Sequence, residues 1–215
     1  MEIYDTEEEQ LEALKRWWKE NGKSALVGLG LGVAVILGWN YWQEYKKGQA
    51  EQASALYDQL LKAAQTDKKD TALKLAERIQ SQFSSTEYAA YSGLLQAKMK
   101  VEQGDVAAAR KIFEKIGSES NKELANIAKI RLVRLMMANK EYEQALQIIN
   151  EVDPSTSVSF SGNYDELVGD LYVALDRLDQ ARTSYQNALR NGYQSQFLQL
   201  KIDDLTAHEK VEIQK

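Results

Sequence analysis

Apolar residues are distributed in two different ways along the chain. From Ser24 to Gln43 they form a run, SALVGLGLGVAVILGWNYWQ, that contains no charged residue. From about residue 48 onward they recur every three or four positions between charged residues, which is the spacing of one face of an amphipathic helix. The pattern therefore predicts one long apolar helix followed by a series of amphipathic helices.

The apolar run has the length of a membrane-spanning helix. At about 1.5 Å per residue it covers roughly 30 Å, the thickness of the hydrocarbon core of a bilayer. Aromatic residues, which favour the membrane interfaces, flank it on both sides: Trp17 and Trp18 before it, and Trp39, Tyr41, Trp42 and Tyr45 towards its end. A cleaved signal peptide is disfavoured because the run starts only after some 23 residues, the early part is acidic at Glu7-Glu8-Glu9, and bulky aromatic residues follow the run. We therefore expect residues 24–43 to be a retained transmembrane helix.

Basic residues are unequally divided between the two ends of this span. Four precede it and two follow it closely: Lys15, Arg16, Lys19 and Lys23, against Lys46 and Lys47. Because basic segments tend to remain in the cytoplasm, we expect residues 1–23 to be a cytoplasmic N-terminal segment. Residues 44–215 would then form a domain on the opposite side of the membrane.

Small residues form stripes along the span. One contains Gly28 and Gly32, and a second contains Gly30, Ala34 and Gly38. Such stripes allow close packing against another helix in lipid, although glycine is also common in solitary spans, so a helix partner is left open.

The segment before the span has two interpretations. Leu11, Leu14 and Trp18 recur at helical spacing, with basic residues on the other faces. This pattern fits a short amphipathic helix on the membrane surface, and it fits equally a continuation of the transmembrane helix.

The remainder of the chain contains an internal repeat of 36 residues. Compact residues recur at Ala97, Val133 and Gly169, and alanines recur at Ala109, Ala145 and Ala181. Larger apolar residues follow each alanine by four positions, at Phe113, Ile149 and Tyr185. A period of this length accommodates two helices of about 14 residues with short turns, in which the alanine marks the closest approach.

The repeats resemble tetratricopeptide repeats, the third copy most closely, at Val168, Gly169, Tyr172, Ala181, Tyr185 and Ala188. The earlier copies are degenerate, and Gln96 stands where leucine is expected. A weaker unit precedes them, with helices predicted at about residues 48–66 and 70–83. The segment Gln194–Thr206 predicts a terminal helix that covers the last apolar face, as solenoids require. The fold class expected is all-α: a single N-terminal transmembrane helix, then a tetratricopeptide-like solenoid with a C-terminal capping helix.

Composition argues against several kinds of chemistry. The chain has no cysteine and one histidine, His208, which does not suit nucleophilic triads or metal sites built from these residues. The net charge is −5 and no basic run is present, so no nucleic-acid partner is expected. We therefore expect a protein that is not an enzyme, has no catalytic or metal-binding residues, and needs no cofactor.

A repeat solenoid offers a concave wall made by the first helix of each unit, suited to binding other proteins. By analogy with tetratricopeptide repeats, twelve residues are expected to line this groove: Tyr91, Leu94, Lys98, Val101, Ile127, Ile130, Arg134, Met137, Asn163, Glu166, Asp170 and Val173. Their mixture of apolar side chains with charges of both signs favours an extended or partly unfolded polypeptide as the ligand. The alternative for each residue is that it packs between helices.

The whole chain resembles the YfgM family, the ancillary subunits of the SecYEG translocon. The resemblance rests on four features: the opening MEIY, the blocks KRWW and ENGK, the span ending GWNYW, and the closing LQLKIDDL. It implies a single-pass inner-membrane protein with a periplasmic repeat domain. The partners it implies are the SecYEG translocon, a PpiD-type periplasmic chaperone, nascent secreted polypeptides and membrane lipid.

The function expected is that of an ancillary adaptor, which links the SecYEG channel to periplasmic chaperones and assists the handling of secreted proteins. The alternative is a membrane-anchored repeat scaffold for another envelope assembly process, since this would have the same fold with different partners.

Overall fold

The computed structural model describes the backbone of residues 7–212 and the side chains of residues 9–205. The opening MEIY motif and the side chain of His208 lie outside these limits. Nine α-helices and no strand are found in the described part of the chain. The helices are α1 (Glu7–Gln65), α2 (Lys69–Gln82), α3 (Glu87–Glu102), α4 (Val106–Gly117), α5 (Lys122–Ala138), α6 (Tyr142–Asn150), α7 (Ser161–Ala174), α8 (Leu178–Arg190) and α9 (Gln196–Glu212). Two short 3-10 helices, Pro154–Thr156 and Val158–Phe160, join α6 to α7.

The first helix is longer than the sequence pattern predicts. From Glu7 it continues without a break through the described part of the expected cytoplasmic segment, the expected span and the first helix of the weak repeat unit. Of the two interpretations of the segment before the span, continuation of the helix is therefore the one observed. The reason is local: the stretch from Glu44 to Ala50 contains no proline, and apart from Gly48 it consists mostly of good helix formers, so the helix is not interrupted.

The chain divides into two compact units, residues 1–52 and residues 53–215. In the first unit, α1 is the one described helix that is long and apolar enough to cross a membrane. Its large side chains between Leu26 and Leu37 are exposed. Among the aromatic residues, Trp39 and Trp42 pack with ring centroids 5.2 Å apart, and the Lys46 ammonium lies 4.0 Å from the Trp42 ring centroid. The limits 24 and 43 of the membrane span stay predictions.

The second unit is a series of helix hairpins in the predicted register. Ala109, Ala145 and Ala181 are fully buried. At Gly169 the approach is so close that a Cβ would lie 2.2 Å from Cε1 of Tyr185, which explains why the compact residue of this unit has no side chain. The predicted period of 36 residues thus corresponds to one pair of packed helices.

The turn inside each hairpin is also repeated. Asp67, Gly104, Lys140 and Asp176 all have positive φ, between 55° and 79°. After each of them, the next backbone N–H donates to a carbonyl five residues earlier, for example from Glu141 to Met136 at 2.9 Å. This is the Schellman arrangement, which satisfies carbonyl groups at the end of the first helix.

Two buried polar contacts replace apolar packing. The Nε2 of Gln80 on α2 donates to Oε1 of Gln96 on α3 at 2.8 Å, so the polar residue at the expected leucine position has a partner. The Nδ2 of Asn126 donates to the Thr156 carbonyl at 3.0 Å, and its Oδ1 accepts from the Tyr164 hydroxyl at 2.8 Å. This second contact joins α5 to the 3-10 connection and to α7.

The capping helix is confirmed, but only part of its apolar surface is buried. Leu198 and Leu205 of α9 are buried and belong to one core cluster with Tyr185 and Ala188. By contrast, 73% of Phe197 and 62% of Leu200 are exposed. These two residues lie on a different face of α9, so the helix covers the end of the solenoid with a narrower stripe than its sequence indicates.

Candidate protein-binding groove

Two cavities with shared lining residues lie between helices of the repeat unit. The first, of about 300 Å³, lies among the C-terminal part of α1, α3 and α5. The second, of about 470 Å³, continues along α3 and α5 and has the side chain of Phe113 from α4 in its lining. Lys98 and Arg131 line both cavities, so the two are adjacent, and together they are called the groove.

Half of the predicted groove residues line this groove: Tyr91, Leu94, Lys98, Val101, Ile127 and Arg134. Ile130 and Met137 line neither cavity, and they pack in or against the main hydrophobic core, as Tyr91, Leu94 and Ile127 also do. Asn163 and Val173 line neither cavity. Whether the lining residues bind a partner stays a prediction.

The expected acidic part of the groove is occupied by the chain itself. The Lys201 ammonium of α9 lies 3.0 Å from Oε1 of Glu166 and 2.6 Å from Oδ1 of Asp170. Asp170 also accepts a hydrogen bond of 2.8 Å from the Tyr185 hydroxyl, and Glu166 is buried. Lys201 of the capping helix therefore holds both acids, and a contact of Glu166 or Asp170 with a partner stays a prediction.

The titration of this cluster is shifted by its surroundings. Burial lowers the pKa of Lys201, but the carboxylates of Asp170 and Glu166 raise it by more, so the pKa of Lys201 is raised overall. Burial, followed by the hydrogen bond to Asp170, raises the pKa of the Tyr185 hydroxyl. At physiological pH the Lys201 ammonium is therefore charged and the Tyr185 hydroxyl is neutral.

Two tyrosines, Tyr57 and Tyr91, line one end of the groove, and Tyr88 packs against both. The Tyr57 ring centroid lies 5.7 Å from that of Tyr88 and 6.2 Å from that of Tyr91, and the latter two lie 5.9 Å apart. Tyr57 is on α1, and the other two are on α3. The rings of Tyr57 and Tyr91, with the half-buried Ile127, provide an apolar platform on which an aromatic or aliphatic side chain can pack.

Sequence reasoning missed two important lining residues, Tyr57 and Arg131. Arg131 lies on α5 three positions before Arg134 and four after Ile127, so all three share one face of the helix. Helical spacing from Ile127 could therefore have found Arg131. Tyr57 had no comparable signal, because it belongs to a unit whose repeat pattern is weak.

The small residues of the transmembrane helix have no partner within the described chain. A Cβ added at Gly28, Gly30, Gly32 or Gly38 would meet no atom within 4 Å. Ala34 is likewise exposed. Packing of this stripe against another helix stays a prediction. Within residues 9–205, no cluster of three or more histidine, cysteine or acidic side chains could hold a metal ion.

The helix pairs, their 36-residue register and the capping helix define a tetratricopeptide-like repeat protein. Residues 15–207 match the family model of the tetratricopeptide repeat-like domain. Two solved structures share the fold, each with a TM-score of 0.56 over 74% of this chain and 85% of theirs. One is MamA 41-end from Desulfovibrio magneticus RS-1, at 14% identity, and the other is a MamA RS-1 double mutant, at 13%.

Curated relatives match over nearly their whole length. The ancillary SecYEG translocon subunit of Haemophilus influenzae is 34% identical over 94% of this chain and 99% of the relative. The protein of the same name from Escherichia coli is 27% identical over 96% of this chain and 100% of the relative. The chain therefore belongs to the family of ancillary SecYEG translocon subunits.

Proposed function

We propose that this chain is a non-enzymatic adaptor of the SecYEG translocon in the bacterial inner membrane. Residues 24–43 anchor it, with the N-terminus in the cytoplasm and the repeat unit in the periplasm. There it links the channel to a PpiD-type chaperone and assists the handling of secreted polypeptides. The proposal is supported by the names of relatives that match almost end to end, and by the exposed apolar face of α1.

The observation that carries the binding role is the open groove. It is lined by side chains from α1, α3, α4 and α5, and none of the described residues fills it. A membrane anchor would hold this groove beside the channel and so raise its effective concentration there without any additional contact. Binding in the groove, and not catalysis, is then the work of the repeat unit.

The test is co-purification of the full-length protein from membranes in mild detergent. The control variant carries the residues of Ser24–Gln43 in scrambled order, which keeps hydropathy and length but destroys the glycine stripes. We expect channel subunits and a periplasmic chaperone to accompany the intact protein and to be depleted with the control. Recovery of other envelope proteins alone, equally with both versions, would favour the alternative scaffold role.

A further inference from the structure

We infer that the groove selects extended polypeptide segments in which an apolar or aromatic side chain is followed by acidic side chains. The inference rests on the proposed role of the groove in protein binding and specifies the chemistry of the ligand. It is carried by the charges that the folded chain leaves uncompensated and by their position relative to the tyrosine platform.

The open part of the groove is basic. Among the described side chains that line the two cavities, Lys98, Arg131 and Arg134 are cationic and Glu102 is the one carboxylate. Glu102 lies 3.8 Å from the Lys98 ammonium, so these two charges compensate each other. The groove therefore has two guanidinium groups in excess.

Neither arginine has a carboxylate partner within the chain. None of the ion pairs found among the side chains of residues 9–205 includes Arg131 or Arg134, and both side chains are exposed. The acids that the repeat would otherwise place further along this wall, Glu166 and Asp170, are already bound to Lys201. An incoming carboxylate would thus meet free guanidinium groups, which form short, charge-assisted and often bidentate hydrogen bonds.

The spacing of the groove suits an extended segment. Alternate side chains of an extended chain lie about 6.6 Å apart on one face, and the two flexible arginine side chains, on successive turns of α5, can reach carboxylates at that separation. The first cavity, which adjoins them through Arg131, presents Tyr57, Tyr91 and Ile127. Acidic side chains beside the arginines would therefore place a neighbouring apolar residue of the same segment on the platform.

The test uses the full-length protein in detergent and fluorescently labelled synthetic peptides. One peptide carries a phenylalanine followed by two aspartates at alternate positions, and its counterpart carries two asparagines there. The groove variant is R131Q/R134Q. The matched control, R78Q/K111Q, removes the same charge from exposed residues of α2 and α4 that line neither cavity.

We expect the unmodified protein and the control variant to bind the aspartate peptide at least about tenfold more tightly than the asparagine peptide. In R131Q/R134Q this preference should disappear, and the asparagine peptide should bind as before. Equal binding of both peptides by the unmodified protein, or a preference that survives in the groove variant, would overturn the inference. So would arginine-dependent binding to phosphatidylglycerol vesicles without any peptide preference.

The two proposals fail separately. If channel subunits co-purify with the protein but the aspartate preference is absent, the ligand chemistry is wrong and the adaptor role stands. If the preference is present but neither channel nor chaperone is recovered, the groove chemistry is right and the adaptor role is wrong.

Discussion

At the scale of single residues, the turn with positive φ inside each hairpin does not always have the residue that best tolerates this conformation, glycine. Four hairpins use the same left-handed position, but only Gly104 has glycine there. Lys140 and Asp176 adopt positive φ with a side chain, a conformation that costs about 1 kcal/mol or more for residues other than glycine. The geometry is therefore imposed by the packing of the two helices and not by the residue at the turn.

Replacing Lys140 with glycine should consequently stabilise the protein. We expect K140G to raise the free energy of unfolding by about 0.5 to 1 kcal/mol, because the strain at φ 63° disappears while the Schellman hydrogen bonds remain. Urea unfolding of the full-length protein in detergent, followed by circular dichroism, measures the change. G104A is the opposite control and should lower stability, and a K140G midpoint at or below that of the unmodified protein contradicts the argument.

At the scale of helices, α9 is held by one charged cluster and two buried leucines. Lys201 binds Glu166 and Asp170, Asp170 accepts from Tyr185, and the pKa of Tyr193 is raised by burial and by the nearby Glu166. The raised pKa of Lys201 means that the folded state retains its proton to higher pH than the unfolded chain. Tyr185 acts in the same direction, because its hydroxyl ionises less readily in the folded state.

This arrangement predicts a loss of stability in alkali. The contribution of Lys201 is fully present below the pKa of an unfolded lysine, about 10.4, and is lost as pH rises through its higher folded value. Unfolded tyrosine ionises near pH 10, so stability should fall from about that pH upward. We expect urea midpoints to decline above about pH 10 in the unmodified protein, and to decline less in the double variant K201M/Y185F. Equal slopes in the two proteins would exclude the cluster as the cause.

The helices also show which features were predictable from the sequence. The buried alanines of the 36-residue register could be predicted, because the close packing of two helices admits only a small side chain at these positions. The continuity of α1 was not predictable, since its apolar and amphipathic parts give different hydrophobic patterns although no proline separates them. The occupation of Glu166 and Asp170 by Lys201 depends on how α9 packs on α7, a tertiary contact that periodicity does not encode.

At the scale of the whole molecule, the orientation of the anchor decides which compartment contains the groove. The sequence argument rests on four basic residues before the span against two after it. Replacing Lys15, Arg16, Lys19 and Lys23 with glutamine removes that excess without changing the span itself.

We expect an alkaline phosphatase fused after residue 215 to be active in the unmodified protein, since this enzyme needs the periplasm to form its disulfides. In the variant without the four basic residues, activity should fall because part of the protein inserts in the opposite direction. A variant with unchanged span and substitutions at Lys111, Lys115, Lys122 and Lys129 is the control and should keep full activity. An inactive fusion to the unmodified protein would place the groove in the cytoplasm and exclude a periplasmic chaperone as its ligand.

The consecutive packing of the helices has a consequence for how the protein is made. Nearly every packed pair of helices is adjacent along the chain, so each hairpin can form as soon as its second helix has been synthesised. The face of α8 around Tyr185 and Ala188 is different, because it is covered only after Leu198 and Leu205 of α9 have been synthesised. A chain whose synthesis stops before residue 198 would keep that apolar face uncovered. Quality-control proteases could then distinguish an interrupted chain from a finished one by the exposed apolar face of α8.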